Sequence, residues 1–247
     1  MNTPAPAANL AQRYPRLYQP AGGYVFVITW GRSGSTLLQN LLNAIPGYCI
    51  RGENNNLMAD LARTWATVED CDPMRGLRKA GQPTQPAHPW YGAEAVSPDH
   101  LGHILANVFA RDILNLPAGT RVAGFKEIRY HTVTPRPMLP IQFMARFFPK
   151  ARFILNTRSH AGTMQSGWWA TMKPETVTRE LRSAETLFDR IAAEYPDRTL
   201  RLHYDDYAGR PEALRPLYDF LGEPFDAAKV QAVMDEKLTH SGTKSSS

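Results

Sequence analysis

A short loop rich in glycine and hydroxyl side chains is the part of the chain best suited to binding an anion. It reads Gly-Arg-Ser-Gly-Ser-Thr over residues 31–36, follows the apolar run YVFVITW and leads directly into a stripe of leucines. Small residues let the backbone approach an anion closely, and the amides and dipole at a helix N-terminus attract negative charge. The pattern predicts a P-loop-like phosphate-binding strand-loop-helix unit, to which Arg32 adds a full charge.

The loop differs from the nucleotide-hydrolase motif GxxxxGK[ST]. Only two residues separate its glycines, and Arg32 lies inside the loop where that motif has a Lys at the end.

A second cation follows another strand-like segment. Residues 153–157 (FILNT) precede Arg158, and Ser166 comes eight residues later. Ligands of α/β proteins bind at the carboxyl edge of the sheet. We expect Ser166 on the following helix, about two turns from Arg158, where both side chains reach one crevice.

The order of these motifs resembles the PAPS-dependent sulfotransferases, whose donor is 3′-phosphoadenosine 5′-phosphosulfate (PAPS). GRSGSTLL follows the first strand, and Arg-x7-Ser follows a later one. Residues 203–222 contain HYDDY, RPE and FLG, which is similar to the family's YEDL…P…FLG pattern. The resemblance extends from about residue 23 to about residue 240.

The resemblance implies a donor with two separate anionic ends and an acceptor hydroxyl. The seven histidines are scattered without metal-ligand spacing, so no metal is expected. In that family the first loop binds the 5′-phosphosulfate, and the Arg and Ser of the second motif bind the 3′-phosphate. Carried over, Arg158 and Ser166 hold the 3′ end. The residues implied at the 5′ end are Gly31, Arg32, Ser33, Gly34, Ser35 and Thr36.

The acceptor hydroxyl requires a general base within hydrogen-bond reach. Glu53 is the first candidate because it follows the first βα unit, and because family members with Arg in the loop often have Gly-Glu here. Glu127 and His131 are the alternatives. Lys126, at the end of the strand GFKEI, is expected to bind a sulfate or bridging oxygen, unless it forms a structural ion pair. Arg32 is expected to stabilise the leaving phosphate.

Arg32 favours the carbohydrate, protein-tyrosine and bacterial branches, because the cytosolic small-molecule enzymes usually carry Lys in this loop. Those enzymes also cover the 3′-phosphate with a C-terminal Arg/Lys-Gly loop. Residues 240–244 (HSGTK) lack that motif, and Lys244 belongs more simply to a solvated tail.

Aromatic residues near the motifs are candidates for adenine stacking or for an acceptor pocket, although aromatics at such positions more often belong to the core. They are Trp30, Trp168 and Trp169, with His88, Trp90 and Tyr91 as acceptor-side candidates.

Alternating strand-like and helix-like segments predict an α/β fold, a three-layer parallel sheet with helices on both faces. The expected strands cover about 24–30, 121–128, 152–157 and 199–204. The expected helices cover about 35–45, 55–67, 98–116, 138–148, a segment from 159, 175–194, 211–221 and 226–237.

One domain is expected over residues 23–240. Residues 1–22 are rich in Pro and Ala and predict a flexible N-terminal arm, and residues 241–247 predict a tail. Residues 71–98 are dense in Pro and Gly without periodicity. Such a long loop in a compact domain predicts a lid or an acceptor-binding loop.

The net charge of +5 favours an anionic ligand but is too small to indicate nucleic acid. Two cysteines, Cys49 and Cys71, make no disulfide framework, although one bridge between them stays open. The sequence shows neither a signal peptide nor a membrane span, so we expect a cytoplasmic protein. An excised domain of an anchored protein would look the same.

Two other functions stay open. A nucleotide kinase or NTPase would need a Lys at the end of the loop and an Asp for Mg²⁺, for which Asp205 is a weak stand-in. A non-catalytic phosphonucleotide-binding protein would need no base. The acceptor itself is open among a sugar, a lipid headgroup, a small metabolite and a peptide tyrosine.

Overall fold

The fold is built around a parallel β-sheet. The computed structural model of the protein describes residues 7–236, and within them five strands form one sheet in the order β2-β3-β1-β4-β5. The strands are β1 (Tyr24–Thr29), β2 (Tyr48–Arg51), β3 (Val122–Glu127), β4 (Arg152–Thr157) and β5 (Thr199–His203).

Helices cover both faces of this sheet. The first six are α1 (Ala7–Arg13), α2 (Ser35–Asn43), α3 (Leu57–Glu69), α4 (Asp72–Ala80), α5 (Pro98–Val108) and α6 (Leu139–Phe147). The others are α7 (His160–Met164), α8 (Pro174–Glu194), α9 (Tyr204–Tyr207), α10 (Arg215–Leu221) and α11 (Ala227–Asp235). A π-helical turn, Phe109–Leu114, extends α5. Short 3₁₀ segments lie at Ala93–Ala95, Tyr130–Thr132, Gly167–Thr171, Pro196–Arg198 and Pro211–Leu214.

Two hydrophobic cores separate the layers. The larger one packs α3, α5, α6 and α8 on one face of the sheet, and the smaller one packs α2, α10 and α11 on the other. Strand β1 is buried along its whole length, as expected for a central strand with helices on both sides. The predicted three-layer α/β class is confirmed.

The register of the central strands determines where the site forms. Ile28 of β1 pairs with Glu127 of β3, and Thr29 pairs with Asn156 of β4. The three strands therefore end at nearly the same level. The loop after β1 emerges between the ends of β3 and β4, at the carboxyl edge of the sheet.

Strand β2 is absent from the sequence-based prediction. It has only four residues, lies at the edge of the sheet, and alternates buried and exposed positions. This short pattern resembles a loop when read alone, yet β2 delivers Glu53 to the carboxyl edge.

The N-terminal segment differs from the predicted flexible arm from α1 onward. Tyr14 and Leu17 are buried in the larger core, and the Tyr24 hydroxyl donates a hydrogen bond to the Leu17 carbonyl at 2.9 Å. Asn107 accepts hydrogen bonds from the backbone amides of Arg16 and Leu17. The Pro/Ala-rich composition predicts a flexible arm because it gives no sign that these few side chains pack against the domain.

Residues 71–98 are not wholly irregular, in contrast to the prediction. Helix α4 occupies residues 72–80, and none of its residues is fully buried. Cys49 and Cys71 are both free thiols. The predicted tail, with Lys244, lies outside the described residues. None of the helices between residues 7 and 236 has the length and hydrophobicity needed to cross a membrane.

Gly124 provides a test of the sheet packing. A Cβ atom there would lie 1.7 Å from the Val25 carbonyl oxygen, whereas a Cβ on Gly76, within α4, meets nothing within 4 Å. We expect Gly124→Ala to lower the free energy of unfolding by about 3 kcal/mol, because strands β1 and β3 must separate. Gly76→Ala should raise it by ~0.5–1 kcal/mol, since alanine favours a helix.

Urea denaturation of both variants measures the difference. Equal stability of the two variants would contradict the close approach of β1 and β3.

Candidate active site

The loop after β1 requires unusual backbone conformations. Arg32 and Gly34 both have positive φ, at 67° and 79°. A Cβ on Gly34 would lie 1.9 Å from the ring of Tyr204, so only glycine fits there. Helix α2 begins at Ser35, and the N–H groups of its first turn lack partners within the helix. The loop and these amides together make a site for an anion.

Ser33 is held away from the surface of this loop. Its hydroxyl contacts the Thr29 hydroxyl at 2.6 Å, and its carbonyl accepts a hydrogen bond from Asn156 at 2.9 Å. The Tyr207 hydroxyl donates to Asn156 in turn, at 2.9 Å. The Ser33 side chain therefore fixes the loop to β1 and β4.

A cleft of about 310 Å³, which we call the central cleft, opens above this loop. Apart from Ser33, every residue that the sequence assigned to donor binding or catalysis lines it, whereas the alternative bases Glu127 and His131 do not. Its walls thus bring together the loop after β1 without Ser33, the acidic residue after β2, the lysine on β3 and the Arg158/Ser166 pair. Residues more than 130 positions apart meet here because all the strands end at one edge.

The two predicted anion-binding motifs contact each other directly. The Arg32 Nε atom donates a hydrogen bond to the Ser166 hydroxyl at 3.0 Å, and Arg158 donates to the Arg32 carbonyl at 3.1 Å. The Arg158 guanidinium also lies over the Tyr204 ring, 5.0 Å from its centre. Two cations are therefore held side by side in the cleft.

Ser166 is not on the helix where the sequence placed it. Helix α7 ends at Met164, and Ser166 precedes a 3₁₀ segment. Gly167 has φ of 57°, and a Cβ there would lie 2.9 Å from the Arg32 Nε atom. The chain breaks from the helix at this point and brings Ser166 toward the loop.

Glu53 forms the opposite wall of the central cleft. Its carboxylate contacts the Lys126 ammonium at 2.7 Å and the Arg129 guanidinium at 3.2 Å. Lys126 is only 6% exposed, so this ion pair supplies the partner that a buried ammonium needs. Lys126 thus forms the ion pair that was the alternative to binding a sulfate oxygen, and Arg129 is a further contact that the sequence did not suggest.

Glu127, the first alternative base, is fully buried and points away from the cleft. Its carboxylate accepts hydrogen bonds from the backbone amides of Asn54, Asn56 and Ile128, at 3.3, 3.1 and 2.8 Å. It thereby holds the turn that carries Glu53.

His131, the second alternative base, lies beside the central cleft, in a neighbouring cavity. Its Nδ1 atom has no hydrogen-bond partner among residues 7–236. Burial lowers the pKa of the imidazole, and the Glu180 carboxylate opposes that shift only in part. The ring is therefore neutral at pH 7.

Asp205, the possible Mg²⁺ ligand, is already engaged. It accepts a hydrogen bond from the Ser159 amide at 2.9 Å and lies 3.7 Å from Arg158. Hydrogen bonding from Ser159 lowers the pKa of this carboxyl below its usual value. Within the described part of the chain, no group of three or more His, Cys, Asp or Glu side chains is placed to hold a metal ion.

The aromatic candidates separate into three groups. Trp30 is buried and stacks on Phe188, and Trp169 donates a hydrogen bond to the Gly31 carbonyl at 2.7 Å. Trp168 is 49% exposed and lines the central cleft. The candidates in the 71–98 segment, His88, Trp90 and Tyr91, are exposed and line neither cavity.

Sequence reasoning missed Tyr204 and Ile128, which also line the central cleft. Each comes immediately after a strand, β5 and β3 respectively. The rule that ligands bind beyond the carboxyl ends of parallel strands would have pointed to both.

Comparison with known proteins gives one family match and several similar structures. A sequence model described as the sulfotransferase family matches residues 24–227. The sulfotransferase domain of the Synechococcus PCC 7002 olefin synthase has a similar structure, with a TM-score of 0.54 and 22% identity over 83% of this chain and 75% of that one. The sulfotransferase domain from the curacin biosynthetic pathway gives 0.49 and 16%, over 87% and 78%.

A search of curated protein sequences gives no significant match. The family match nonetheless spans most of the chain, including the loop, the Arg158/Ser166 pair and the segment of Tyr204. The chain belongs to the sulfotransferase family.

Proposed function

We propose that the protein transfers the sulfuryl group of PAPS to an acceptor hydroxyl. The observation that carries the proposal is the hydrogen bond between Arg32 and Ser166, at 3.0 Å. It joins the loop suited to the 5′ end of the donor to the pair suited to the 3′-phosphate. A nucleotide with anions at both ends fits such a cleft, whereas a single phosphate would use only half of it.

The charge of the cleft supports this assignment. Arg32, Lys126 and Arg158 line it, against the single carboxylate of Glu53. The excess of cations attracts a multiply charged donor and stabilises the charge that develops as sulfate leaves. Arg32, inside the loop, is the cation assigned to the leaving 5′-phosphate.

Glu53 is the proposed general base. The donor supplies an electrophilic sulfur, and in-line transfer depends mainly on positioning and on charge stabilisation. Lys126 and Arg129 hold the carboxylate at the cleft wall, where it can take the proton of the acceptor hydroxyl. Lys126 also brings a positive charge to the reacting sulfate.

Three further assignments stay predictions. They are the cytoplasmic location, the branch indicated by Arg32, and a role for residues 71–98 as a lid or acceptor-binding loop.

The two-ended site predicts a preference among nucleotides. At about 100 times its Kd, 3′-phosphoadenosine 5′-phosphate (PAP) should stabilise the protein by ~2.7 kcal/mol, a rise in Tm of roughly 5–10 °C. ADP, which lacks the 3′-phosphate, should give a much smaller shift at the same concentration. Differential scanning fluorimetry measures both shifts.

The matched variants are Arg158→Gln and Arg215→Gln, the latter altering an exposed arginine that pairs with Glu212 and lies outside the central cleft. Arg158→Gln should remove most of the preference for PAP, and Arg215→Gln should keep it. Equal shifts by PAP and ADP in the wild type would exclude the two-ended site.

The base assignment predicts that Glu53→Gln lowers kcat about 10²–10⁴-fold, because the amide cannot accept the proton. PAP affinity, measured by calorimetry, should change little, which separates an enzyme from a nucleotide-binding protein. Transfer is followed with radiolabelled PAPS and a panel of phenol, sugar and alkyl alcohol acceptors.

Glu212→Gln serves as the control, since Glu212 is 67% exposed and outside the cleft. If Glu53→Gln kept full activity while His131→Ala lost it, His131 would be the base.

A further inference from the structure

A second cavity, which we call the side cavity, lies against the central cleft. It has a volume of about 240 Å³, and it shares Gly31, Ile128 and Trp168 with the cleft. The two cavities therefore adjoin at these three residues. A compound in the side cavity would therefore lie next to the loop that the donor occupies.

The walls of the side cavity are mainly apolar. Ile128, Trp168, Trp169 and Met172 form them. Trp168 is 49% exposed and Met172 is 36% exposed, so both leave apolar surface uncovered at the mouth. A flat apolar compound placed there would remove this surface from water and could stack on the indole.

The ionisable residues that line the side cavity do not favour a charged ligand. Arg129 is paired with Glu53 at 3.2 Å and lies 3.8 Å from Glu127. The His131 imidazole is neutral because burial lowers its pKa. Glu180 is the carboxylate in the lining and would repel an anionic acceptor. These surroundings favour an uncharged compound.

The side cavity offers few free hydrogen-bonding groups. The Thr132 hydroxyl already donates to the Arg129 carbonyl at 2.8 Å. A sugar carries several hydroxyls, and each one buried without a partner costs free energy. The volume is below the ~300–1,000 Å³ usual for drug-sized ligands, so the cavity suits one or two rings.

We infer that the side cavity is the acceptor pocket and that the acceptor is an uncharged phenol. This inference rests on the proposed sulfuryl transfer. The phenol oxygen forms a bond to sulfur, and the bond between sulfur and the 5′-phosphate oxygen breaks. The phenolic proton passes to the Glu53 carboxylate, and PAP leaves with the bonding electron pair.

The acceptor pocket is tested with 2-naphthol, a flat uncharged phenol, and with methyl glucoside as a polar alcohol of similar size. A neutral tyrosine-containing peptide distinguishes a phenol on a protein from a free phenol. We expect kcat/KM for 2-naphthol to exceed that for methyl glucoside at least ~100-fold. The ratio of kcat/KM for 2-naphthol to kcat/KM for the peptide shows whether the acceptor is a free phenol or a tyrosine in a protein.

Met172→Glu is the diagnostic variant, because Met172 lines the side cavity but not the central cleft. The added charge should raise the KM for 2-naphthol about tenfold or more, since a carboxylate in an apolar wall is costly to desolvate. PAP affinity, measured by calorimetry, should be unchanged. Ile104→Glu is the control, as Ile104 has similar exposure (39%) and lines neither cavity.

A second variant, Thr132→Trp, blocks the same cavity by volume and should act on the acceptor in the same way. It keeps the test decisive if Met172→Glu does not fold.

The outcomes distinguish a failure of the proposed sulfuryl transfer from a failure of the acceptor-pocket assignment. Failure to bind PAP would overturn both sulfuryl transfer and the acceptor pocket. PAP binding with methyl glucoside preferred over 2-naphthol would overturn the phenol assignment alone. Normal KM for 2-naphthol in both Met172→Glu and Thr132→Trp would show that the acceptor binds elsewhere.

Discussion

The hydrogen bonds at the end of β1 determine where the rest of the site lies. Thr29 contacts the Ser33 hydroxyl and donates to the Asn156 carbonyl, both at 2.6 Å, while the Asn156 side chain donates to the Ser33 carbonyl. All three residues are essentially buried, so these bonds form in a low-dielectric interior where leaving one unmade is costly. They fix the anion-binding loop to β4 and thereby fix the distance between the loop and Arg158.

The direction of side chains on β3 determines which charges enter the central cleft. Adjacent residues of β3 point to opposite faces, so Lys126 enters the central cleft and Glu127 enters the protein interior. Lys126 is paired with Glu53, and Glu127 holds the turn that carries Glu53 through three backbone amides. One dipeptide thus supplies both the counter-charge and the positioning of the proposed base.

Much of this architecture could be predicted because it depends on local patterns. Strands β1, β3 and β4 are largely buried, β5 alternates leucine with polar residues, and each was predicted within one residue of its observed bounds. Strand β2 and helix α4 were not predicted, because a strand of four residues and a nine-residue helix that contains Pro and Gly are too short for their apolar periodicity to stand out. The packing of Tyr14 and Leu17 was likewise hidden, since burial of a single side chain depends on the surface opposite it.

The sequence by itself determined the parallel α/β class and the family that the order of its motifs resembles, and it predicted an anion-binding loop at residues 31–36. Motif spacing does this because a loop, its glycines and the following helix are neighbours in the chain. Only the tertiary structure decided that the Ser33 side chain is structural, that Arg32 contacts Ser166, and that Glu53 pairs with Lys126 and Arg129. These contacts join residues far apart in sequence, so they depend on strand order and side-chain direction, which no local pattern encodes.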